Sequence, residues 1–396
     1  MLRKLNSHLL TTLFASAWGF AGRGLGLVWT VAIIHQLGIG EYGKYAMAFA
    51  LATLLAVPID NYFFVGSVRS SEEAFRHDRS TRLLIGCTLF AIGLTVYRSH
   101  FIIGLGVVLA GGEIAYNAFQ SGWMRAGRPD RLNINATARQ AASIGLALPY
   151  LYLSDDPTID KICLAYVAPY LAVIALSAFK FRFDKPKLPR DRARAGILMA
   201  DAISIAIYQQ GDVLFLGLLT SQEIVGYYST AAVAASAASA IGVSYAQTFH
   251  EKLRASDGHS KAGPPPMQSL LLSIAIGSVM LLAGVGLAAY GASPQLWATF
   301  VILSVFTSLR FVKHTLTIVL IVQHRDQARV LAMLTCIAIK AAVIVILVSF
   351  GAIGAAIAAV STELILVIWY VRLVYPDRSI RQAISTALQN KSGVGK

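Results

Sequence analysis

The sequence predicts an all-α integral membrane protein of about twelve transmembrane helices, arranged as two pseudo-symmetric six-helix bundles. Of the 396 residues 56% are hydrophobic and only 14% are charged, whereas charged residues make up about a quarter of a soluble chain. Apolar runs of about 20 residues, the length a helix needs to cross a bilayer, recur from one end of the chain to the other. We therefore predict a multi-pass protein of the cell (inner or plasma) membrane.

A scan for apolar runs of this length divides the chain into twelve predicted spans. The first run is far longer than the roughly 7 to 15 residues of a signal-peptide core and contains Arg23, so it is predicted to be a retained helix. The third is the shortest, and only residues 291–294 separate the ninth from the tenth. The spans lie near 9–35, 42–65, 82–97, 101–124, 132–153, 162–179, 195–219, 224–249, 267–290, 295–322, 328–348 and 352–374.

The distribution of basic residues predicts which ends of these spans face the cytoplasm. A net charge of +14 alone would suit a nucleic-acid-binding protein, but the Lys and Arg residues outside the spans fall on one side of the membrane, except for Lys44, Arg98 and Lys161. Because basic residues in short loops stay cytoplasmic, both the N- and C-termini are predicted to be cytoplasmic. We expect this basic face to attract membrane lipids with anionic headgroups, and we predict no nucleic-acid partner.

A Pro-containing basic segment separates the sixth span from the seventh and sets the predicted domains. These are an N-terminal six-helix bundle (1–180), a basic cytoplasmic linker (181–194), a C-terminal six-helix bundle (195–374) and a cytoplasmic tail (375–396). A short repeat supports two matched halves: GEYGKYA after the first span and EIVGYYS after the seventh align Gly43 with Gly226 and Tyr45 with Tyr228. Matched repeats are typical of transporters that carry substrate between their halves, and chance similarity in a chain rich in Gly and Ala is the alternative.

Residues 37–46 read LGIGEYGKYA, and residues 210–217 (QGDVLFLG) run into 223–231 (EIVGYYSTA). These segments resemble the first outer turn and the seventh-helix region of polysaccharide flippases in the multidrug/oligosaccharidyl-lipid/polysaccharide (MOP) exporter superfamily. The resemblance implies a carrier that moves a polyprenyl-pyrophosphate-linked oligosaccharide from the cytoplasmic to the outer leaflet by alternating access, for cell-surface polysaccharide biosynthesis. It also implies a polysaccharide polymerase or glycosyltransferases as functional partners.

Ten charged residues fall inside the predicted spans and away from the span ends, where a charge costs roughly 2.5 to 3.5 kcal/mol and therefore faces a partner or a water-filled cavity. They are Arg23, Asp60, Glu113, Arg139, Asp201, Asp212, Arg310, Lys313, Lys340 and Glu363. We expect Asp60, Arg139 and Asp201, near the membrane surface, to be solvated or to snorkel. Lys340 and Glu363 lie in adjacent spans and are expected to pair with each other.

The tenth span carries a candidate anion site. Arg310, Lys313 and His314 stand at i, i+3 and i+4 and so share one helix face. Guanidinium and ammonium groups are suitable partners for a pyrophosphate, and cationic residues on the first helix belong to the headgroup site of the family that the chain resembles, which implies the same role for Arg23. We predict that these four residues bind the cargo, and the alternative is that they only hold helices together.

Two further spans carry polar stripes that cannot face lipid. Glu113, Tyr116, Asn117 and Gln120 form the stripe on the fourth span, and Asp201, Ser204, Tyr208 and Asp212 form the one on the seventh. Their groups are suited to bind sugar hydroxyls or to line a hydrated pathway for a coupling ion, H+ or Na+. Contact with neighbouring helices alone is the alternative.

Other functional classes find little support in the sequence. No Ser/His/Asp pattern, HExxH motif or Walker-type loop is present, and the outer loops are too short for a catalytic domain, so we predict that the protein is not an enzyme. The three cysteines lie in apolar runs without metal-ligand spacing, and neither a metal nor a cofactor is predicted. The alternatives to a flippase are a multidrug or cation antiporter of the same superfamily, a membrane-embedded polysaccharide polymerase or ligase, and a structural scaffold.

Overall fold

The computed structural model describes residues 2–69, 71–126, 128–180, 184–187, 192–256 and 258–375. Within these ranges the chain is helical and contains no strand, which confirms the predicted all-α class. Apart from Tyr375, the predicted tail lies outside the described residues, and so do residues 181–183 and 188–191 of the predicted linker. The predicted cytoplasmic position of both termini stays a prediction.

Thirteen α-helices follow one another along the described residues, twelve of them long. They are α1 (Leu2–Leu37), α2 (Ile39–Arg69), α3 (Glu72–Tyr97), α4 (Phe101–Arg125), α5 (Pro129–Leu153), α6 (Ile159–Lys180), α7 (Arg192–Leu219), α8 (Gln222–Gln247), α9 (His250–Ala255), α10 (Pro266–Ala289), α11 (Pro294–Val322), α12 (Asp326–Ile346) and α13 (Ala352–Val374). Helices α1–α8 correspond to the first eight predicted spans and α10–α13 to the last four.

Eleven of the described helices are long and apolar enough to cross a membrane. The twelfth long helix is α5, which includes Asp130, Arg131 and Arg139 and is not among these eleven. The protein is accordingly a multi-pass membrane protein with about the number of spans that the sequence predicts.

Helix α3 begins ten residues, or nearly three turns, before the predicted third span, because it has its own start signal. The Ser71 hydroxyl accepts a hydrogen bond from the Ala74 amide (3.4 Å), and Glu72 and Glu73 lie in the first turn, where the helix dipole favours negative charge. A hydropathy scan does not detect this polar start. Arg82, which stands at the predicted start of the third span and is counted there with the cytoplasmic loop, therefore lies well inside a helix and is buried.

The described chain divides into two compact units, Met1–Gly226 and Tyr227–Lys396. In the first unit α2 packs against α4 and α7, α1 against α5, and α6 against α4 and α5. Because α7 packs on α2, the units divide after α7 rather than before it. The predicted domain limits of 1–180, 181–194 and 195–374 stay predictions.

The second unit is organised around α11, which packs against α10 and α13, while α12 packs against α13. The buried face of α13 consists largely of small residues, among them Ala355, Ala356 and Ala359. Small side chains let membrane helices approach closely, and the same face carries Glu363, whose side chain is completely buried. This arrangement places a carboxylate in the interior of the second unit.

The two glycines matched by the sequence repeat make a reciprocal contact within the first unit. A Cβ added to Gly43 would overlap the carbonyl oxygen of Gln222, and one added to Gly226 would overlap the carbonyl oxygen of Ile39. Each glycine therefore lets the backbone of the other turn approach closely. The repeat thus has a physical role, because it joins the start of α2 to the segment that follows α7.

We expect Gly43→Ala or Gly226→Ala to lower the midpoint of thermal unfolding of the purified protein in detergent, because overpacking a close contact typically costs about 1 to 3 kcal/mol. Gly40→Ala is the matched control, since a Cβ at Gly40 would have no atom within 4 Å. Equal unfolding midpoints for the Gly43 and Gly40 variants would contradict the close backbone contact.

Candidate functional site

The carboxylate of Asp60 on α2 is held by residues of two neighbouring helices. Arg82 Nε on α3 donates to Asp60 Oδ1 at 2.8 Å, and Arg82 Nη2 contacts the same oxygen. Asn117 Nδ2 on α4 donates to the other oxygen, Oδ2, at 2.6 Å. A buried ion pair needs such additional hydrogen bonds to offset the desolvation of both charges. The expectation that Asp60 is simply solvated is therefore wrong, because α3 supplies a buried cation beside it.

A second network joins α4, α5 and α6. Arg139 Nη2 lies 3.0 Å from Glu113 Oε1, and the Tyr170 hydroxyl donates to the same oxygen at 2.5 Å. Arg139 Nη1 donates to the Tyr170 hydroxyl at 2.7 Å, and the Arg139 guanidinium lies 5.4 Å from the centre of the Tyr116 ring. Arg139 therefore does not snorkel to the membrane surface as expected, because Glu113 provides a partner within the protein.

Both networks border one cavity of about 280 Å³ inside the first unit. The side chain of Glu113 is 33% exposed and that of Asp60 is 17% exposed, so both acids are accessible from the cavity that they line. The lining consists of Phe49, Ala52, Thr53, Ala56, Val57, Asp60, Leu109, Glu113, Asn117, Arg139, Gln140, Tyr166 and Tyr170. The polar stripe predicted on the fourth span thus contributes Glu113 and Asn117 to a cavity.

The remaining members of the polar-cavity prediction lie around this cavity or elsewhere in the first unit. Tyr116 is buried against Arg139, and Gln120 Nε2 donates to Asn117 Oδ1 at 2.6 Å. Tyr208 and Asp212 on α7 are buried too, but they are outside the lining of this cavity. The structure therefore brings the α4 residues together and leaves the α7 residues apart from them. The binding roles of all six residues stay predictions.

In the second unit the residues of α11 that are predicted to form an anion-binding face differ in their surroundings. Lys313 Nζ lies 2.7 Å from Glu363 Oε1, and both side chains are buried. The Arg310 guanidinium lies 5.0 Å from the centre of the Phe306 ring, and within the described residues it has no ion pair with a carboxylate. His314 is half-buried on the same helix. Lys313 is an additional partner for Glu363, whose predicted pairing with Lys340 stays a prediction.

Positive charge exceeds negative charge in the interior of the second unit. Arg310, Lys313 and Lys340 lie in α11 and α12, and Lys313 and Lys340 are less than a tenth exposed. Glu363 is the one acidic residue in the sequences of α10, α11 and α13, and Asp326, in the first turn of α12, pairs with Arg329 at 3.1 Å. Basic side chains therefore outnumber acidic ones in these helices.

Arg23 lies on an exposed part of α1, with its guanidinium 5.3 Å from the centre of the Phe20 ring. No ion pair involves it among the residues that the structure describes. Its glycine neighbours serve the packing of α1 on α5: a Cβ on Gly22 would lie 3.1 Å from Thr137 Oγ1, and one on Gly26 would lie 3.2 Å from Gln140 Nε2. The cargo contacts predicted for Arg23, Arg310, Lys313 and His314 stay predictions.

Three residues of the first unit are not identified by the sequence patterns: Arg82 and Tyr170, which belong to these networks, and Gln140, which lines the cavity. Arg82 was assigned to a loop, and Tyr170 and Gln140 lie in runs with no polar periodicity. A Tyr directly after Pro169 in an apolar span was the one local signal, and it does not indicate a partner on another helix. The three residues become visible only when α3, α5 and α6 are packed against α2 and α4.

Removing one charge of the Asp60–Arg82 pair should destabilise the protein more than removing both. Arg82→Gln leaves Asp60 without its cation, and breaking a buried pair in this way typically costs about 3 to 5 kcal/mol. The double variant Asp60→Asn/Arg82→Gln keeps two polar side chains without charge and should recover much of this loss in a thermal or denaturant unfolding experiment. A double variant whose loss equals the sum of the two single losses would contradict a direct ion pair.

Comparisons with known proteins give matches in structure alone. No protein-family model matches the chain, and no curated protein matches it in sequence. The lipid II flippase MurJ, in an inward closed conformation, superposes with a TM-score of 0.66 at 13% identity, covering 95% of this chain and 90% of that one.

Two MATE transporters have the same fold. An inward-facing multidrug resistance MATE family transporter of the MOP superfamily gives a TM-score of 0.57 at 14% identity, covering 92% of this chain and 94% of that one. The eukaryotic MATE transporter AtDTX14 gives 0.56 at 12% identity, covering 96% of this chain and 98% of that one. These matches extend over nearly the whole length of each chain. The protein therefore has the fold of the MOP-superfamily transporters, as the sequence resemblance predicted.

Proposed function

We propose that the protein is a transporter that flips a polyprenyl-pyrophosphate-linked oligosaccharide from the cytoplasmic to the outer leaflet of the cell membrane by alternating access. The observation that carries the proposal is the surplus of positive charge in the interior of the second unit, where Arg310, Lys313 and Lys340 accompany Glu363. Fixed cations in a membrane protein's interior are costly and usually mark the path of an anionic substrate. A pyrophosphate is the anionic part of such a cargo.

Arg310 is the proposed principal ligand of the pyrophosphate. Its guanidinium is half-buried, rests on the Phe306 ring and has no carboxylate partner within the described chain. A planar guanidinium can give two parallel hydrogen bonds to phosphate oxygens. Lys313 and His314 lie one turn further along the same helix, and Lys313 would have to divide its ammonium group between Glu363 and the cargo.

Arg23 is the proposed second cationic contact, contributed by the first unit. Its exposed guanidinium has no carboxylate partner among the described residues, so binding a phosphate would not require an existing ion pair to break. Membrane lipids with anionic headgroups are the competing ligands at such a site. We propose that Arg23 and Arg310 each bind the cargo during the transport cycle.

The energy for transport is proposed to come from an H+ or Na+ gradient. The candidate coupling group is Asp212 on α7, which is 6% exposed and lies one helical turn from the buried Tyr208. A buried carboxylate within a membrane helix is a common element of proton and cation pathways. The proposal includes neither catalysis nor a cofactor, and a polysaccharide polymerase or glycosyltransferases are the proposed functional partners.

A multidrug or cation antiporter is the second candidate, because two of the structures with the same fold are MATE family transporters. A cationic drug would be repelled by Arg310 and Lys313 unless it bound elsewhere in the protein. The two candidates therefore differ in the charge of the cargo that the second unit can accept. Transport of a cationic dye and transport of a lipid-linked sugar distinguish them.

Arg310→Gln should reduce the flipping of a fluorescent polyprenyl-diphosphate-linked sugar in proteoliposomes by about tenfold or more, since a hydrogen bond to a charged group contributes about 1.5 to 3 kcal/mol. Arg98→Gln is the matched control, because Arg98 is exposed at the turn between α3 and α4. Size-exclusion profiles establish that both variants are folded. Unchanged flipping by the Arg310 variant would refute the assignment, and efflux of a cationic dye without any flipping would favour the antiporter.

A further inference from the structure

We propose that the cavity bordered by α2, α4, α5 and α6 binds one neutral sugar residue, in pyranose form, through Glu113, Gln140 and the aromatic rings of its wall. The inference rests on the proposed function, because the sugar is taken to be part of the glycan that the cargo carries. It goes beyond that function because it assigns the sugar to a cavity inside the first unit, whose lining includes neither Arg23 nor Arg310. Charge, hydrogen bonding, wall chemistry and size each support it.

The charges of the cavity balance. Asp60 faces Arg82, and Glu113 faces Arg139 at 3.0 Å, so two carboxylates and two guanidinium groups are present. A metal cation or an anion would add a net charge to this balanced, partly buried set, and a buried charge without a partner is costly. A neutral polar ligand can enter without breaking either pair.

Several hydrogen-bonding groups remain available beside these pairs. Arg139 and Tyr170 both contact Oε1 of Glu113, so Oε2 of this one-third-exposed carboxylate remains an acceptor for a hydroxyl. Gln140 lines the cavity, and its amide has no hydrogen bond within the described chain, so this residue has a donor and an acceptor to offer. Arg139 Nε is buried and has no partner among the described residues. Vicinal hydroxyls of a sugar both donate and accept, which matches this set.

Aromatic side chains also line the cavity. Phe49, Tyr166 and Tyr170 are among its lining residues, and Tyr166 is fixed by Trp29, which stacks on it with ring centroids 5.1 Å apart at an interplanar angle of 21°. Aromatic rings have apolar faces, and a pyranose has an apolar face of C–H groups that packs on such rings. A lining that combines charged donors and acceptors with aromatic rings is therefore suited to a sugar.

The size of the cavity limits the ligand to about one ring. Its volume of about 280 Å³ lies at the lower end of ligand pockets, which span roughly 300 to 1,000 Å³. A whole oligosaccharide would not fit. The cavity is therefore suited to a single residue at or near one end of a glycan.

The test is a binding titration of the purified full-length protein in nanodiscs with glucose, galactose and N-acetylglucosamine, followed by tryptophan fluorescence, because Trp29 stacks on a ring of the cavity wall. We expect a saturable change with at least one of these sugars. Glu113→Gln should weaken the affinity by about tenfold. Gln140→Ala should weaken it as well, and this variant avoids leaving Arg139 without its carboxylate. Glu41→Gln is the matched control, since it removes the Glu41–Lys44 contact (2.6 Å) outside the cavity lining.

Binding of none of the three sugars to the wild-type protein would overturn the proposal, as would equal affinities in wild type, Glu113→Gln and Gln140→Ala. A saturable response to NaCl that Glu113→Gln abolishes would overturn it in favour of a cation site. The outcome is separable from that of the transport proposal. If flipping depends on Arg310 but no sugar binds, only the sugar site is refuted; if sugar binds normally but no lipid-linked sugar is flipped, the transport proposal fails and the sugar site stands.

Discussion

A charge in the interior of a membrane protein must be neutralised by a partner or face water, and this constraint organises both units of the structure. In the first unit Arg82 and Arg139 neutralise Asp60 and Glu113, and the two pairs connect α2, α3, α4, α5 and α6. In the second unit Lys313 neutralises Glu363 across the contact between α11 and α13. An interior cation that no carboxylate neutralises is then a group that can bind an anionic ligand.

Much of the fold could be predicted, because the bilayer imposes a strong length and hydropathy constraint on each helix. The order of the helices and most of their limits follow from it. The polar starts of helices do not follow from this constraint. Helix α3 begins at Glu72 because Ser71 caps it, and a hydropathy scan does not detect such a cap. The packing of α7 on α2 is a tertiary contact, and the Gly43–Gly226 repeat indicated matched turns without showing that they touch.

The candidate site could be predicted in part, because a polar residue inside an apolar span is conspicuous in the sequence. Glu113 and Asn117 were identified in this way, and both line the cavity. Partners could not be identified, since the helical period relates residues within one helix and says nothing about which helix packs against it. Arg139 therefore looked like a snorkelling residue until α6 brought Tyr170 to it, and Lys313 looked free to bind an anion until α13 brought Glu363 to it.

We propose that Arg310, in the second unit, binds the diphosphate of the cargo. The most direct test of this proposal is the binding of a short isoprenyl diphosphate, such as geranyl diphosphate, to the purified protein, measured as the rise in unfolding temperature with ligand concentration. The account predicts saturable stabilisation by the diphosphate, little by the corresponding alcohol, and loss of the effect in Arg310→Gln. Equal stabilisation by diphosphate and alcohol, or an undiminished effect in the Arg310 variant, would contradict it.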